Sequence, residues 1–501
     1  MSKLVPLDEV QGIILRGYDK LEAARFVLLK VTDPAAARRW LGELAGDLTS
    51  AKNKPEKRAV NVAFTWSGLV KLGVPDEHSR DFSPGFAHEF VEGMDTPHRQ
   101  RVLGDTDTHT PDTWDWGGQK DYENFHLLLM VYADAQANLD ALFGDQEARY
   151  RAAGLVEHPK GRFDPLHLKD RKEHFGFRDG IAQPFVEGVL KEAPTKEREE
   201  PVQGNALPAG EFLLGYPNAY GVLPPSPTLP AAGGGAAFDF GAHGSYLVVR
   251  QLEQNVRAFW TFMKEATARP RSDETPQWLA ARMVGRWPNG TPLALSPNKE
   301  DPLQLDEDRY NYAEKDPLGL ITPLGSHTRR SNPRDSLEPG PGGEGRLTAA
   351  ASLNVTKLHR IIRRGRPYGP PVAESMQVTD ILKQLETPDP VPAVKRGLMF
   401  LCFCANIARQ FEFVQQTWIN NPKFGGLYAD PDPLLGHRHT EEMEEAPDDF
   451  TVQATPVRRR YQKLPDFVTT RGGAYLFMPG LAAVRYLAAL KPPAGASSDG
   501  R

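Results

Sequence analysis

Ala24-Arg25-Phe26-Val27-Leu28-Leu29-Lys30-Val31 is an apolar run of strand length, and Asp33-Pro34 follows it almost at once. An Asp placed before a Pro is a helix start, because its carboxylate can accept from the free N–H groups of the first turn and proline fits there without loss. The stretch from Pro34 to Leu44 is therefore read as a helix returning over the strand. The same unit recurs far along the chain, where Ser245-Tyr-Leu-Val-Val-Arg250 leads into an amphipathic helix from Glu253 to Glu265. Further strands are expected at His126-Leu-Leu-Leu-Met130-Val-Tyr-Ala, at Gly397-Leu398-Met399-Phe400-Leu401-Cys402-Phe403-Cys404 and at Ala474-Tyr-Leu-Phe-Met478. This repetition points to a duplicated architecture, which an α+β chain of two ferredoxin-like domains, a duplicated antiparallel sheet with helices, fits.

The first domain is placed at 1–200 and the second at 241–490. Residues 190–240 alternate charge runs with Pro and Gly, so 201–240 is read as a surface connection. The tail 491–501 is expected to be disordered.

Composition bounds the function. A chain of 501 residues can bury a core large enough for a cofactor. The net charge of −5, with signs interspersed, argues against nucleic-acid binding, which calls for a basic face. The two cysteines, Cys402 and Cys404, stand two residues apart on one strand, too close for an ordinary disulfide and too few for structural zinc, and are read as reduced core residues. The start of the sequence lacks the charged and apolar regions of a secretion signal, and no run approaches the length of a membrane span, so the protein is expected to be cytoplasmic with no membrane partner.

The chemistry concentrates in His174-Phe-Gly-Phe177-Arg178-Asp179-Gly180-Ile181-Ala-Gln-Pro184. Gly180 permits a chain reversal, while Phe175, Phe177 and Ile181 would desolvate the Asp179 carboxylate and move its pKa toward the range useful for proton transfer. A plain structural Asp-Gly turn is the competing reading.

Gly176-Phe-Arg-Asp179-Gly180 matches without a gap the GxxDG signature of the dye-decolorizing peroxidases, a family of heme enzymes, and the stretch resembles that family's distal loop. Three later segments match in order. Pro323-Leu-Gly-Ser-His327-Thr-Arg329-Arg330-Ser-Asn332-Pro333-Arg334 looks like the proximal stretch, making His327 the implied iron ligand. Arg329, Asn332 and Arg334 are then candidates to hold the heme propionates, since guanidinium forks suit carboxylates. Arg360-Ile-Ile-Arg363-Arg364-Gly365-Arg366 resembles the strand carrying the distal arginine. Arg363 is the match by position, with Arg360, Arg364 and Arg366 as rivals if the register slips.

His327 and Arg363 are 36 residues apart, a longer gap than the family's usual one, and the excess falls in the Pro/Gly-rich stretch after Asp335. The third match is the run Gly397 to Cys404, by which the resemblance implies that Leu398 and Phe400 wall the distal pocket, beside Phe177, Arg178, Gly180 and Ile181. The segment from Arg409 to Trp418 is read as a helix. The family pairs its axial histidine with an acid, for which Asp432 is the choice, ahead of Asp430 and Glu412.

The resemblance extends over nearly the whole chain. It implies a heme peroxidase with heme b (iron protoporphyrin IX) in the C-terminal domain, taking hydrogen peroxide and oxidising phenols, dyes or similar aromatic reductants by one-electron steps. Asp179 would take and return the peroxide proton, and Arg363 would stabilise the separating charge. Bulky reductants would need surface Tyr or Trp relays. Two other classes stay in view: a non-catalytic heme-binding protein for storage, delivery or sensing, and a duplicated ferredoxin-like interaction protein without heme.

Overall fold

The computed structural model describes residues 4–76, 85–118, 121, 123–189, 205–230, 237–268, 274–337, 347–388, 394–438 and 447–490. The tail 491–501, residues 201–204 and 231–236 of the connection and most of the Pro/Gly-rich stretch after Asp335 lie outside them; the described part of the connection is not confined to the surface as expected, since Leu207, Phe212, Leu213 and Tyr216 are buried in the core.

The strands of the main sheet are β1 (Ala23–Val31), β2 (Arg58–Phe64), β3 (Leu127–Ala133), β4 (Leu155–Phe163), β5 (Ser245–Gln254), β6 (Ile362–Arg363), β7 (Arg366–Tyr368), β8 (Gly397–Cys404) and β9 (Val468–Met478). They run in the order β4-β1-β3-β2-β9-β5-β8-β6, with β7 pairing β8 next to β6. Every pairing is antiparallel.

Each half has the same plan. In the first, β1 is followed by the helix Pro34–Leu44 and β3 by the helix Gln136–Ala152, and the order β4-β1-β3-β2 is that of a ferredoxin-like unit. In the second, β5 is followed by the helix Val256–Ala266, β8 by the helical turns Ala408–Glu412 and Val414–Ile419, and β9-β5-β8-β6 repeats the order. The halves meet edge to edge at the pair Phe64 and Phe477.

Local chemistry accounts for the starts of these helices. Asp33 Oδ1 accepts from the Ala35 and Ala36 N–H groups at 2.9 and 3.0 Å with Pro34 in the first turn, and Asn255 accepts from Ala258 N. Each such cap is worth about 1 kcal/mol. The second helix begins later than the sequence suggests, because Glu253 and Gln254 still pair with β8 and β9. The segment after β8 is helical but wide, with Glu412 N bonded to Ile407 O and Asn420 N to Gln415 O, five residues back.

Both sheet faces are buried, so the strands read as continuous apolar runs. Val27, Leu29 and Val31 of β1 face a layer holding Trp40, Leu41, Phe143 and Tyr150, together with Leu481, Val484 and Leu487 of the last helix. Phe26 and Leu28 face Ile13, Ile14, Phe212 and Tyr216. Cys402 and Cys404 are free and fully buried in the first of these layers. Among the described residues no helix is long and apolar enough to cross a membrane.

The exception to this closure is informative. Along β8 the apolar side chains are buried except Leu398 and Phe400, two positions apart and therefore on one face. A half-exposed Leu and Phe in an inner strand mark a cavity over that face.

Candidate active site

That cavity has a volume of about 230 Å3 and is lined by Phe177, Arg178, Asp179, Gly180 and Ile181 of the distal loop, by His327, Asn332 and Arg334, by Arg360 and Arg363, and by Leu398 and Phe400. Four stretches separated in sequence by up to about half the chain thus converge on one cleft. Most of the lining comes from the second half of the chain, and residues 173–182 of the first close one wall.

The loop from Glu173 to Gly180 is shaped by its own hydrogen bonds. Glu173 accepts from Phe175 N and Phe177 N, both at 2.8 Å, and from Gln254 Nε2 at 2.5 Å, which ties the loop to β5. Gly180 adopts φ +82°, a conformation that side chains other than glycine rarely take, and its N–H donates to Asp179 Oδ1 at 2.6 Å. Asp179 is therefore a turn residue, as one reading of the sequence had it, and it also reaches the cleft. Arg363 Nη1 donates to the same Oδ1 at 3.0 Å, while the Arg363 backbone N–H is held by Gln183 Oε1. Each partner of this pair keeps about a third of its side-chain surface open, at 31% and 34%.

His327 begins the short helix His327–Ser331. Its Nδ1 donates to Asp432 Oδ2 at 2.9 Å. Asp432 is fully buried, and its Oδ1 accepts from Leu434 N and Leu435 N, both at 2.9 Å. Burial raises the Asp432 pKa, but the imidazole, Arg330 and these donors outweigh it and hold it below the usual carboxylate value. Burial likewise opposes a charged His327, and the Coulombic pull and hydrogen bond of Asp432 overcome it, leaving that pKa above the ordinary one. Arg363 and Asp179 act on His327 at longer range with opposite signs. With Nδ1 donating to a carboxylate, Nε2 carries the lone pair and has no partner among the described residues, and the ring lines the cleft.

Neither of the other acids considered for His327 bonds it among the described residues. Glu412 accepts from Arg99 and Tyr475 at 2.8 and 2.7 Å, and the Asp430 carbonyl takes Arg330.

Two of the expected propionate arginines are spent. Arg329 does not line the cleft: its guanidinium is buried on Asp316, the Thr322 carbonyl and Ser336 Oγ. This corrects the expectation for Arg329, whose place on the helix turns it away from the cleft into a buried ion pair. Arg334 does reach the lining, but its fork is filled by the Asp308 carboxylate and the carbonyls of Asp308 and Tyr310. Arg178 is likewise held bidentately by Asp306 at 2.8 Å.

The donors left over are different. Among the described residues Asn332 Nδ2 is buried without a hydrogen bond. Arg360 is 7% exposed and its guanidinium, among the described residues, bonds only Asn205 Oδ1 at 3.0 Å. Burial first, then repulsion from Arg334 against the attraction of Asp308, pushes its pKa down to about 10. The sequence offered Arg360 only as a rival for another role, since nothing in a run of arginines says which lack carboxylates.

Glu173 was not singled out from the sequence at all, although it lines the cleft. Burial raises its pKa to about 7 against the lowering effect of its hydrogen bonds. The folded chain therefore keeps this proton up to about pH 7, while the unfolded chain releases it near 4.5, so stability is lost as pH rises between those values. We expect the melting temperature of Glu173→Gln to fall less steeply than that of the parent between pH 5 and 8, by several degrees over the range. Parallel pH curves for the two proteins would show that Glu173 is ionised throughout.

Comparison with known proteins agrees with this geometry. No family model matches the sequence. The "Multifunctional dye peroxidase DyP2" of Amycolatopsis sp. is 30% identical over 513 aligned positions, covering 96% of this chain and 96% of that protein. The "Dye-decolorizing peroxidase msp1" of Mycetinis scorodonius is 29% identical over 500 positions, covering 96% and 87%. Among solved structures, an ancestral D-type dye-decolorizing peroxidase superposes with a TM-score of 0.72 at 26% identity, covering 96% of this chain and 99% of its own. A dye-decolorizing peroxidase solved with 2,6-dimethoxyphenol gives 0.71 at 24% identity, a likeness of fold. Fold and whole-length similarity together make this chain a peroxidase, an oxidoreductase, and it belongs to the dye-decolorizing peroxidase family, whose members are heme enzymes.

Proposed function

We propose that the cleft holds heme b and that the enzyme uses hydrogen peroxide to oxidise phenols, dyes and related aromatic reductants one electron at a time. The observation that carries this reading is the His327 imidazole, with Nδ1 fixed by a buried carboxylate and Nε2 free at an apolar cleft. One unpartnered imidazole nitrogen facing a cleft walled by Phe177, Ile181, Leu398 and Phe400 is an arrangement that would suit a heme iron held by a single protein ligand.

In this reading His327 would hold the iron through Nε2, and Asp432 would keep it in the required tautomer and strengthen it as a donor. Arg360 and Asn332, the donors without acidic partners among the described residues, would receive the propionates. Leu398, Phe400, Phe177 and Ile181 exclude water from the distal side. Bound heme supplies the redox chemistry. Asp179 accepts the peroxide proton and delivers it to the departing oxygen, and Arg363, already turned toward Asp179, stabilises the charge that separates between them. The proposal includes a cytoplasmic location, where Cys402 and Cys404 stay reduced.

The non-catalytic alternative gains nothing from the structure, because storage or delivery requires neither an acid nor a cation held over the cleft. The test is to purify the protein with heme and assay peroxide-dependent oxidation of 2,6-dimethoxyphenol. A Soret band with turnover supports the reading. A Soret band without turnover favours the heme-binding alternative, and a colourless protein that takes up no added heme removes both.

A further inference from the structure

Behind the Asp179–Arg363 pair lies a second cavity of about 110 Å3, which shares those two residues and Gly180 with the cleft. Five cations line it, Arg171, Lys172, Arg363, Arg364 and Arg366, against two carboxylates, Asp19 and Asp179. Both carboxylates are already engaged. Asp19 accepts from Lys54 Nζ at 2.8 Å and lies 3.7 Å from Arg171, and Asp179 is held by Arg363. His167 also lines the wall, but burial, then Arg366 and Arg171, push its pKa down to about 4, so it adds no charge near neutrality.

Arg364 and Arg366 are the anomaly. Arg364 donates to the carbonyls of Ile13, Ile14 and Arg363, and Arg366 to those of Leu21 and Tyr18. Neither forms an ion pair among the described residues, although Arg366 is 4% exposed. Burial pushes the pKa of each down to about 10 in spite of the attraction of Asp19 and the neighbouring tyrosines. Carbonyls satisfy the N–H groups but not the charge, and an enclosed charge without a counter-charge is costly.

We propose that this cavity is a binding site for a small monovalent anion of the halide or nitrate class. The cavity has less than half the volume of the cleft, which suits one such ion with its waters better than an aromatic dye. The ion's charge is the counter-ion that Arg364 and Arg366 lack. Because Arg363 borders both cavities, an anion here competes with Asp179 for its guanidinium and slows the peroxide step. That kinetic effect rests on the peroxidase reading above; the site itself rests only on the charges and the cavity.

The test uses the ferric holoenzyme and bromide. Crystals soaked in bromide should show an anomalous peak between Arg364 and Arg366, and added bromide should raise the melting temperature while the Soret band stays in place. Asp19→Asn, which removes a competing carboxylate at a half-exposed position, should tighten the bromide midpoint by about two- to fivefold. Arg364→Met and Arg366→Met should abolish the peak; if either fails to fold, Asp19→Asn carries the test, because that variant leaves both guanidiniums in place. The proposal is overturned by a cavity without anomalous density, by an Asp19→Asn protein whose midpoint does not tighten, or by a Soret shift that tracks the bromide midpoint, which would place the ion on the iron. A peroxide step insensitive to bromide at a demonstrated site would overturn the competition for Arg363 and leave the peroxidase reading intact.

Discussion

His327→Ala should yield a folded protein that retains no more than about a tenth of the parent's heme, since removing even an outer partner of a metal ligand costs 10–100-fold in affinity and this change removes the ligand itself. The fold should survive because the two sheets, their edge-to-edge junction at Phe64 and Phe477 and the apolar layers on both faces do not involve residue 327. The local cost falls on Asp432, which loses one of three donors to its carboxylate and keeps Leu434 N and Leu435 N. A penalty of about 1–3 kcal/mol is the size expected for such a buried group left partly unsatisfied. Heme per chain, measured after reconstitution, and far-ultraviolet circular dichroism separate the two effects. A variant with full heme and an unchanged spectrum would move the axial role to another residue. His359, the other histidine at the cleft, is the next to test, although its Nδ1 is already engaged with the Arg409 carbonyl.

Much of this architecture was legible because it depends on local signals. Asp33-Pro34 announces a helix start whatever surrounds it, and the apolar run from Gly397 to Cys404 reads as a strand, which the structure buries except at Leu398 and Phe400 over the cleft. The repeated strand–helix unit was enough to expect a duplication, and the structure adds what periodicity does not carry, namely that the two sheets join into one. The convergence of Asp179, His327, Arg363, Leu398 and Phe400 on one cleft matches the order of motifs along the chain.

The sequence was less informative where long side chains choose among partners. Arg329, Arg334 and Arg360 are all plausible carboxylate binders in one dimension. Only three-dimensional packing reveals that Asp316 takes the first, Asp308 the second and, among the described residues, no acid the third. Glu173 was passed over for the same reason, because its importance comes from Phe175 N, Phe177 N and Gln254 converging on it.

The second large effect is expected at the distal pair. Arg363→Leu should keep its heme and slow peroxide-driven oxidation by about 10²–10³-fold, the loss that follows removal of one preorganised stabiliser of developing charge. Asp179→Asn should cost about 10²–10⁴-fold, because an amide neither accepts the peroxide proton nor passes one on. The two losses should not add, since Arg363 Nη1 and Asp179 Oδ1 form one hydrogen-bonded unit at 3.0 Å and either change leaves the other partner misdirected. Arg364→Leu is the register control: its guanidinium bonds the carbonyls of Ile13 and Ile14, away from Asp179, so heme content and peroxide rate should stay near those of the parent. Stopped-flow mixing of each ferric protein with peroxide, analysed as a double-mutant cycle, reads all of these together. A silent Arg363→Leu beside a crippled Arg364→Leu would assign the distal charge one residue further along the chain. An unaffected Asp179→Asn would leave Asp179 as the turn that shapes the loop, with the proton carried by water.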